Sequence, residues 1–213
     1  MALMIIGLDT SHNKTYSCLL FGFKNDINEV YNKISRVLAK HGRPGIIHWQ
    51  KLSGKIRKAA KNEIYEIVNN SPLSFYIFEH DKPRDVPKNE YYLFTVPNFI
   101  ASYMERRLRG KFGTVLIEAD DDYTISNVKN STLRFVENFI AQVCFRLIGK
   151  QIKLRKDGKI RATVKHSNGN VLDFIGYETN RTLSNAVQLS DLILGYYFYD
   201  NKGLEKVDLQ KLK

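Results

Sequence analysis

The chain is short of cysteine, of acidic residues and of long apolar runs, and each shortage closes off a class of protein. Its two cysteines, Cys18 and Cys144, are too few for a disulfide framework or a zinc knuckle. Each is flanked by apolar residues, so they read as small core residues of a protein in a reducing compartment, with a bridge between them left open. No stretch approaches the roughly 18 apolar residues of a membrane-spanning helix, so no membrane partner is expected. The opening MALMIIGLD is apolar but short, lacks a basic leader and reaches Asp9 quickly. It predicts a first strand and not a signal peptide, and a cytoplasmic protein is expected. Acidic residues number 22 against 33 basic ones, a net charge of +11. That surplus favours a polyanionic partner, with nucleic acid first and anionic membrane second.

With 213 residues and 43% hydrophobic composition, the chain suits one domain with a sizeable core. Residues 1–200 form that domain, and 201–213 read as a polar, loosely held tail. Segments 3–9 and 15–23 are strand-like, with the turn-like Ser11-His12-Asn13-Lys14 between them, which predicts an antiparallel hairpin. Helical periodicity covers 26–41, 53–70, 89–109, 127–149 and 180–199. Strands are expected at 45–49 (GIIHW), 73–79, 114–118 and 171–175, with a hairpin at 151–165. Early strands followed by strands alternating with helices predict an α/β fold, a mixed sheet with helices on both faces.

Acidic residues stand at the ends of three apolar strands. Alternation puts Ile5, Gly7 and Asp9 on one face, Leu116, Glu118 and Asp120 on another, and Phe75, Ile77, Glu79 and Asp81 on a third. Gly7 leaves open space beside Asp9. Asp191 lies in the apolar helix NAVQLSDLILGY, on a narrow stripe with Ser184, Gln188 and Gly195. A carboxylate in apolar surroundings is costly unless compensated. Several gathered together cannot all ionise cheaply without cations, and hard Mg²⁺ or Mn²⁺ prefers such oxygen ligands. Two such ions assist in-line attack of water on a phosphodiester.

Asp9-Thr10-Ser11 on a first strand followed by a hairpin, and Gln188-Leu189-Ser190-Asp191-Leu192-Ile193 on a last helix, resemble the RNase H-like superfamily. Within it the chain is most similar to archaeal single-strand-specific 3′–5′ exonucleases. The resemblance spans most of the chain, with segment 46–52 and its following helix between the two motifs. It implies a mixed sheet with antiparallel first strands, then parallel ones, and Asp9 on the central strand. It also implies a Mg²⁺- or Mn²⁺-dependent nuclease on single-stranded DNA and a homo-oligomer, a trimer. Asp9 and Asp191 carry over as metal-binding catalytic residues. The intervening acid stays open between Glu79, by strand count, and Glu118 with Asp120, by local pattern. The helix-borne Glu of cellular RNases H has no clear match, nor do the ordered motifs of proofreading exonucleases.

The basic surplus concentrates in 151–165, QIKLRKDGKIRATVK. Asp157-Gly158 is a preferred hairpin turn. Ile152, Leu154, Ile160, Ala162 and Val164 point one way. Lys153, Arg155, Lys159, Arg161 and Lys165 are left as a basic ribbon able to track a phosphate backbone. Such charges also protect a sheet edge from pairing. The aromatic run Tyr196-Tyr197-Phe198-Tyr199 serves a core or subunit contact, or stacks bases. His12, close to Asp9 in sequence, is left out of the site. Alternatives to the exonuclease are an RNase H-like endonuclease on RNA–DNA hybrids or junctions, and a non-catalytic nucleic-acid-binding protein. An actin-like phosphotransferase is set aside, because the chain is too short for two such domains and has no G-x-x-x-x-G-K-[ST] loop.

Overall fold

The computed structural model describes residues 3–10, 16–80, 84–120, 130–156, 160–179, 184–200 and 203–211. Among the described residues, eight strands form one mixed sheet in the order β5-β6-β7-β4-β1-β2-β3-β8. β1 (Leu3–Thr10) is buried along nearly its whole length, as a strand covered on both faces must be. It pairs antiparallel with β2 (Tyr16–Phe23) and parallel with β4 (Gly113–Asp120). β2 pairs antiparallel with β3 (Ser74–Glu79), and β4 pairs parallel with β7 (Val171–Thr179). The basic hairpin, β5 (Arg155–Lys156) and β6 (Ile160–Lys165), adds antiparallel to β7 at one edge. Its turn, Asp157-Gly158 with Lys159, lies outside the described residues, as do Asp81 and the 11–14 turn with His12.

Helices cover both faces. On one, α4 (Val96–Leu108) and α5 (Ser131–Ile148) pack through Ile100, Met104, Phe135 and Phe139 onto Ile6, Leu8 and Ile117. A one-turn helix, α3 (Lys88–Glu90), and a wide π turn over Tyr91–Thr95 lead into α4. The π turn falls just ahead of Pro97, which lacks the N–H that a regular helix uses. The opposite face holds α1 (Lys24–Lys40), α2 (Gly54–Asn69) and α6 (Asn185–Tyr199), packed through Ile34, Ile64 and Leu192 onto Ile5, Leu20 and Ile77. Cys18 and Cys144 are free and buried in these two separate cores, with the sheet between them.

Two expectations fail. Residues 45–49 do not form a strand. They run as an irregular segment into a single 3-10 turn, Trp49–Lys51. Backbone donors that a strand would give to a neighbour go instead to α6 side chains: Ile47 N–H to Gln188 Oε1 at 2.9 Å and Trp49 N–H to Asp191 Oδ2 at 2.7 Å. The tail is not all loose either. β8 (Val207–Lys211) pairs parallel with β3 and closes the other edge of the sheet.

Candidate functional site

The carboxylates gather at the C-terminal ends of β1 and β4, beneath α6. Parallel register sets Gly7 beside Glu118 and Leu8 beside Ala119, so Asp9 and Asp120 follow on adjacent strands about 4.8 Å apart. Ala119 belongs to the α5 core, while Leu116 packs towards α6. Alternation therefore turns Glu118 and Asp120 to the α6 face, together with Asp9. The helix can approach because Gly7 has no side chain: a Cβ there would lie 2.7 Å from the Ala186 backbone carbon. Ser190 Oγ, 3.2 Å from Gly7 O, spans the same close approach.

Asp9 is 7% exposed. Burial pushes its carboxyl well above the usual carboxylate range, and the negative charges of Asp191 and then Asp120 push it further. The Thr10 backbone N–H opposes this. These three carboxylates thus form one electrostatic group. Cys18, next to Asp9 across the β1–β2 pair, has its thiol pushed up first by burial and then by the Asp9 charge.

Every member of the polar α6 stripe has a specific partner. Ser184 caps the helix through Val187 N–H and donates its hydroxyl to Glu118 Oε2. Gln188 Oε1 accepts from Ile47 N–H and from the Tyr31 hydroxyl at 3.0 Å. Asp191 Oδ2 accepts from Trp49 N–H and lies 2.9 Å from His48 Nδ1. Gly195 gives up its side-chain space to the Trp49 ring, which an added Cβ would meet at 2.1 Å.

Glu79 is not brought into this group. β2 separates its strand from β1, and it faces Tyr16 at the end of β2. Lys211 Nζ at 3.0 Å and the Tyr16 hydroxyl at 2.9 Å bind its carboxylate and hold it below the usual range. Asp9, Asp120 and Asp191 are brought together, with Glu118 attached through Ser184. Among the described residues, no group of three or more His, Cys, Asp or Glu is arranged to hold a metal ion. The oxygen donors suit a hard cation chemically; Asp191 has one oxygen committed to the 48–49 segment.

Sequence reasoning missed His48 and Trp49, which hold Asp191. Their only signal was a histidine beside the chain's single tryptophan, in a run whose β-forming residues pointed to a strand. On the basic ribbon, Lys153, Arg155, Arg161 and Lys165 are exposed, while Ile160, Ala162 and Val164 are buried against the α5 core. Arg161 and Lys165 therefore face the α6 side of the sheet, the side of the carboxylates.

His80 follows β3 and is fully buried, its Nε2 3.0 Å from Ser17 Oγ. Burial pushes its pKa down to about 4 from 6.5, so the fold takes up its proton later than the unfolded chain does. Its contribution is intact above about pH 6.5 and is lost as pH falls toward 4, about 3 kcal/mol in all. Urea titrations over that range should show the decline, and His80→Gln should flatten it. An unchanged slope in the variant counts against the assignment.

No family model, no curated protein and no solved structure matches the chain.

Proposed function

We propose that the protein is a divalent-metal-dependent nuclease with an RNase H-like sheet. In this reading Asp9, Asp120 and Asp191 hold Mg²⁺ or Mn²⁺ and Glu118 supports them. The observation that carries it is Asp9: a buried carboxylate repelled by two others, for which a bound cation is the natural compensation. What supports the RNase H-like assignment is the sheet itself, with antiparallel strands first, parallel strands next, and the first-strand Asp on a central strand.

Bound divalent cations would supply activation of the attacking water and stabilisation of the leaving oxygen. The chain's own part is to aim the carboxylates. The close seat of α6 over Gly7 keeps Asp191 within electrostatic reach of Asp9. The 48–49 segment takes up Asp191 Oδ2 and leaves Oδ1 for a cation, an arrangement in which outer partners orient a ligand. Strand polarity and preference for single-stranded DNA rest on the resemblance alone, and a homo-oligomer likewise.

The reading is tested with labelled single strands, RNA–DNA hybrids and junctions, each with Mg²⁺ or Mn²⁺. Cleavage of single strands from the 3′ end is expected. If no oligonucleotide is cut and calorimetry finds neither ion bound, the proposal fails. Intact nucleic-acid binding by Asp9→Asn, with no cleavage by the parent protein, would leave a non-catalytic binding protein.

The uncovered β5–β6 face gives the strand its track. Arg161 lies level with Ile175, four residues short of the Thr179 position that pairs with Asp120. That is about 13 Å along the strands and about 10 Å across them. Charge reversal at Arg155, Arg161 and Lys165 should weaken binding of every sequence alike. The slope of log K against log salt should shrink by about 0.7 for each phosphate that is no longer neutralised. An unchanged slope would move the track elsewhere.

A further inference from the structure

The aromatic run at the end of α6 divides in two. Tyr196 is fully buried, with its hydroxyl on Arg57 O, whereas Phe198 is 51% and Tyr199 46% exposed. Both exposed rings are held from the side. Phe198 meets Tyr16 edge-on at 4.6 Å, and Tyr199 meets Trp49 at 5.9 Å. Rings fixed by edge contacts and open over about half their surface are prepared to receive another flat ring.

Their position ties them to the carboxylates. Phe198 stands seven residues after Asp191, two helical turns or about 10 Å along the same side of α6. Gly195 falls between them, and the Trp49 ring occupies its notch. The backbone N–H of that same Trp49 holds Asp191. Nearby charge favours a polyanion. The Arg57 guanidinium lies 4.1 Å over the Trp49 ring and donates to Trp49 O. Two acids near the platform are matched, Asp200 with Lys61 at 2.5 Å and Glu79 with Lys211.

We propose that Phe198 and Tyr199, backed by Trp49, form a stacking subsite for an unpaired nucleobase about two helical turns from Asp191. The subsite rests on the nucleic-acid reading above and deepens it. A duplex keeps its base faces covered, so an aromatic platform selects single-stranded nucleic acid and tolerates any base sequence.

Trp49 is the sole tryptophan, so its emission reports on the platform without labelling. In EDTA, titration with a short oligothymidylate should quench that emission. A strand of equal length and charge carrying abasic sites should not. Replacing both rings, Phe198→Ala with Tyr199→Ala, should weaken oligothymidylate binding at least ten-fold and leave the abasic strand's affinity unchanged. Phe198→Tyr should restore most of its share, which guards against a folding defect. The subsite is refuted if oligothymidylate and abasic strands bind alike, if neither binds, or if heparin quenches as well as thymidylate. It is also refuted if the double variant changes oligomeric mass, which would make the patch an interface between copies of this chain. Stacking without metal-dependent cleavage keeps this subsite and removes the nuclease; cleavage without stacking does the reverse.

Discussion

On the nuclease reading proposed above, Asp9→Asn should lose cleavage and gain stability in the same molecule. Asn keeps the shape of Asp9 but not the charge that burial, Asp191 and Asp120 all oppose. At neutral pH the melting temperature should rise by several degrees, about 1–2 kcal/mol at about 2–4 °C for each kcal/mol in a chain of this size. The sign follows from the raised carboxyl. The parent fold is penalised above the ordinary carboxylate range and relieved as pH falls and Asp9 takes up a proton, so the two melting curves converge in acid. Cleavage should fall by about a thousand-fold, since metal assistance contributes several kcal/mol to the transition state. On the same reading, Mg²⁺ at a hundred times its dissociation constant should stabilise the parent by about 2.7 kcal/mol, and the variant much less. An Asp9→Asn protein that melts lower than the parent at pH 7 would contradict the electrostatic account.

Gly7→Val should damage both the fold and the site. The atoms that a side chain would meet are the Ala186 backbone carbon and Cβ at 2.7 Å and its carbonyl oxygen at 2.8 Å. Backbone cannot swing aside as the end of a long side chain can, so α6 must rise from the sheet. Overpacking of this kind costs about 3 kcal/mol. The same helix carries Ser184, Gln188 and Asp191, so the ion affinity of the proposed site should fall with stability. Ala186→Gly relieves only the Cβ share of the clash and should rescue part of the loss. Gly54→Ala is the control. It sits in open space at the start of α2 and should be neutral or stabilise by a few tenths of a kcal/mol. If Gly7→Val melts with the parent, the close seat of α6 does not hold the site together.

The sequence was a good guide where one element's pattern carried the information. Alternation in 3–9 and 114–120 set the faces of Asp9, Glu118 and Asp120, because side chains reverse at every residue of a strand. The stripe of Ser184, Gln188, Asp191 and Gly195 stood out because an apolar helix rarely keeps a polar line without partners. Pattern gave no means of identifying those partners. Gln188 and Asp191 bind the backbone of 47 and 49, more than 140 residues away, and in doing so prevent the strand that GIIHW suggests.

The intervening acid shows the same division. Glu79 and Glu118 each end an apolar strand in a similar way. Only the strand order separates them, placing β4 beside β1 while β2 stands between β1 and β3. Lys211 arrives at Glu79 on an edge strand whose exposed alternation gave no apolar face to read.

What the sequence by itself determined is local and periodic: most of the strands and helices, the exposed Arg161 and Lys165 alternating with buried Ile160, Ala162 and Val164, and acids at the ends of apolar stems. Tertiary structure alone decided which acids face one another, that His48 and Trp49 hold Asp191, and which rings of the 196–199 run reach solvent. The physical reason is range. Periodicity is set within a few residues by backbone geometry, whereas charge repulsion, close backbone approach and ring exposure depend on separations that exist only after distant segments have packed.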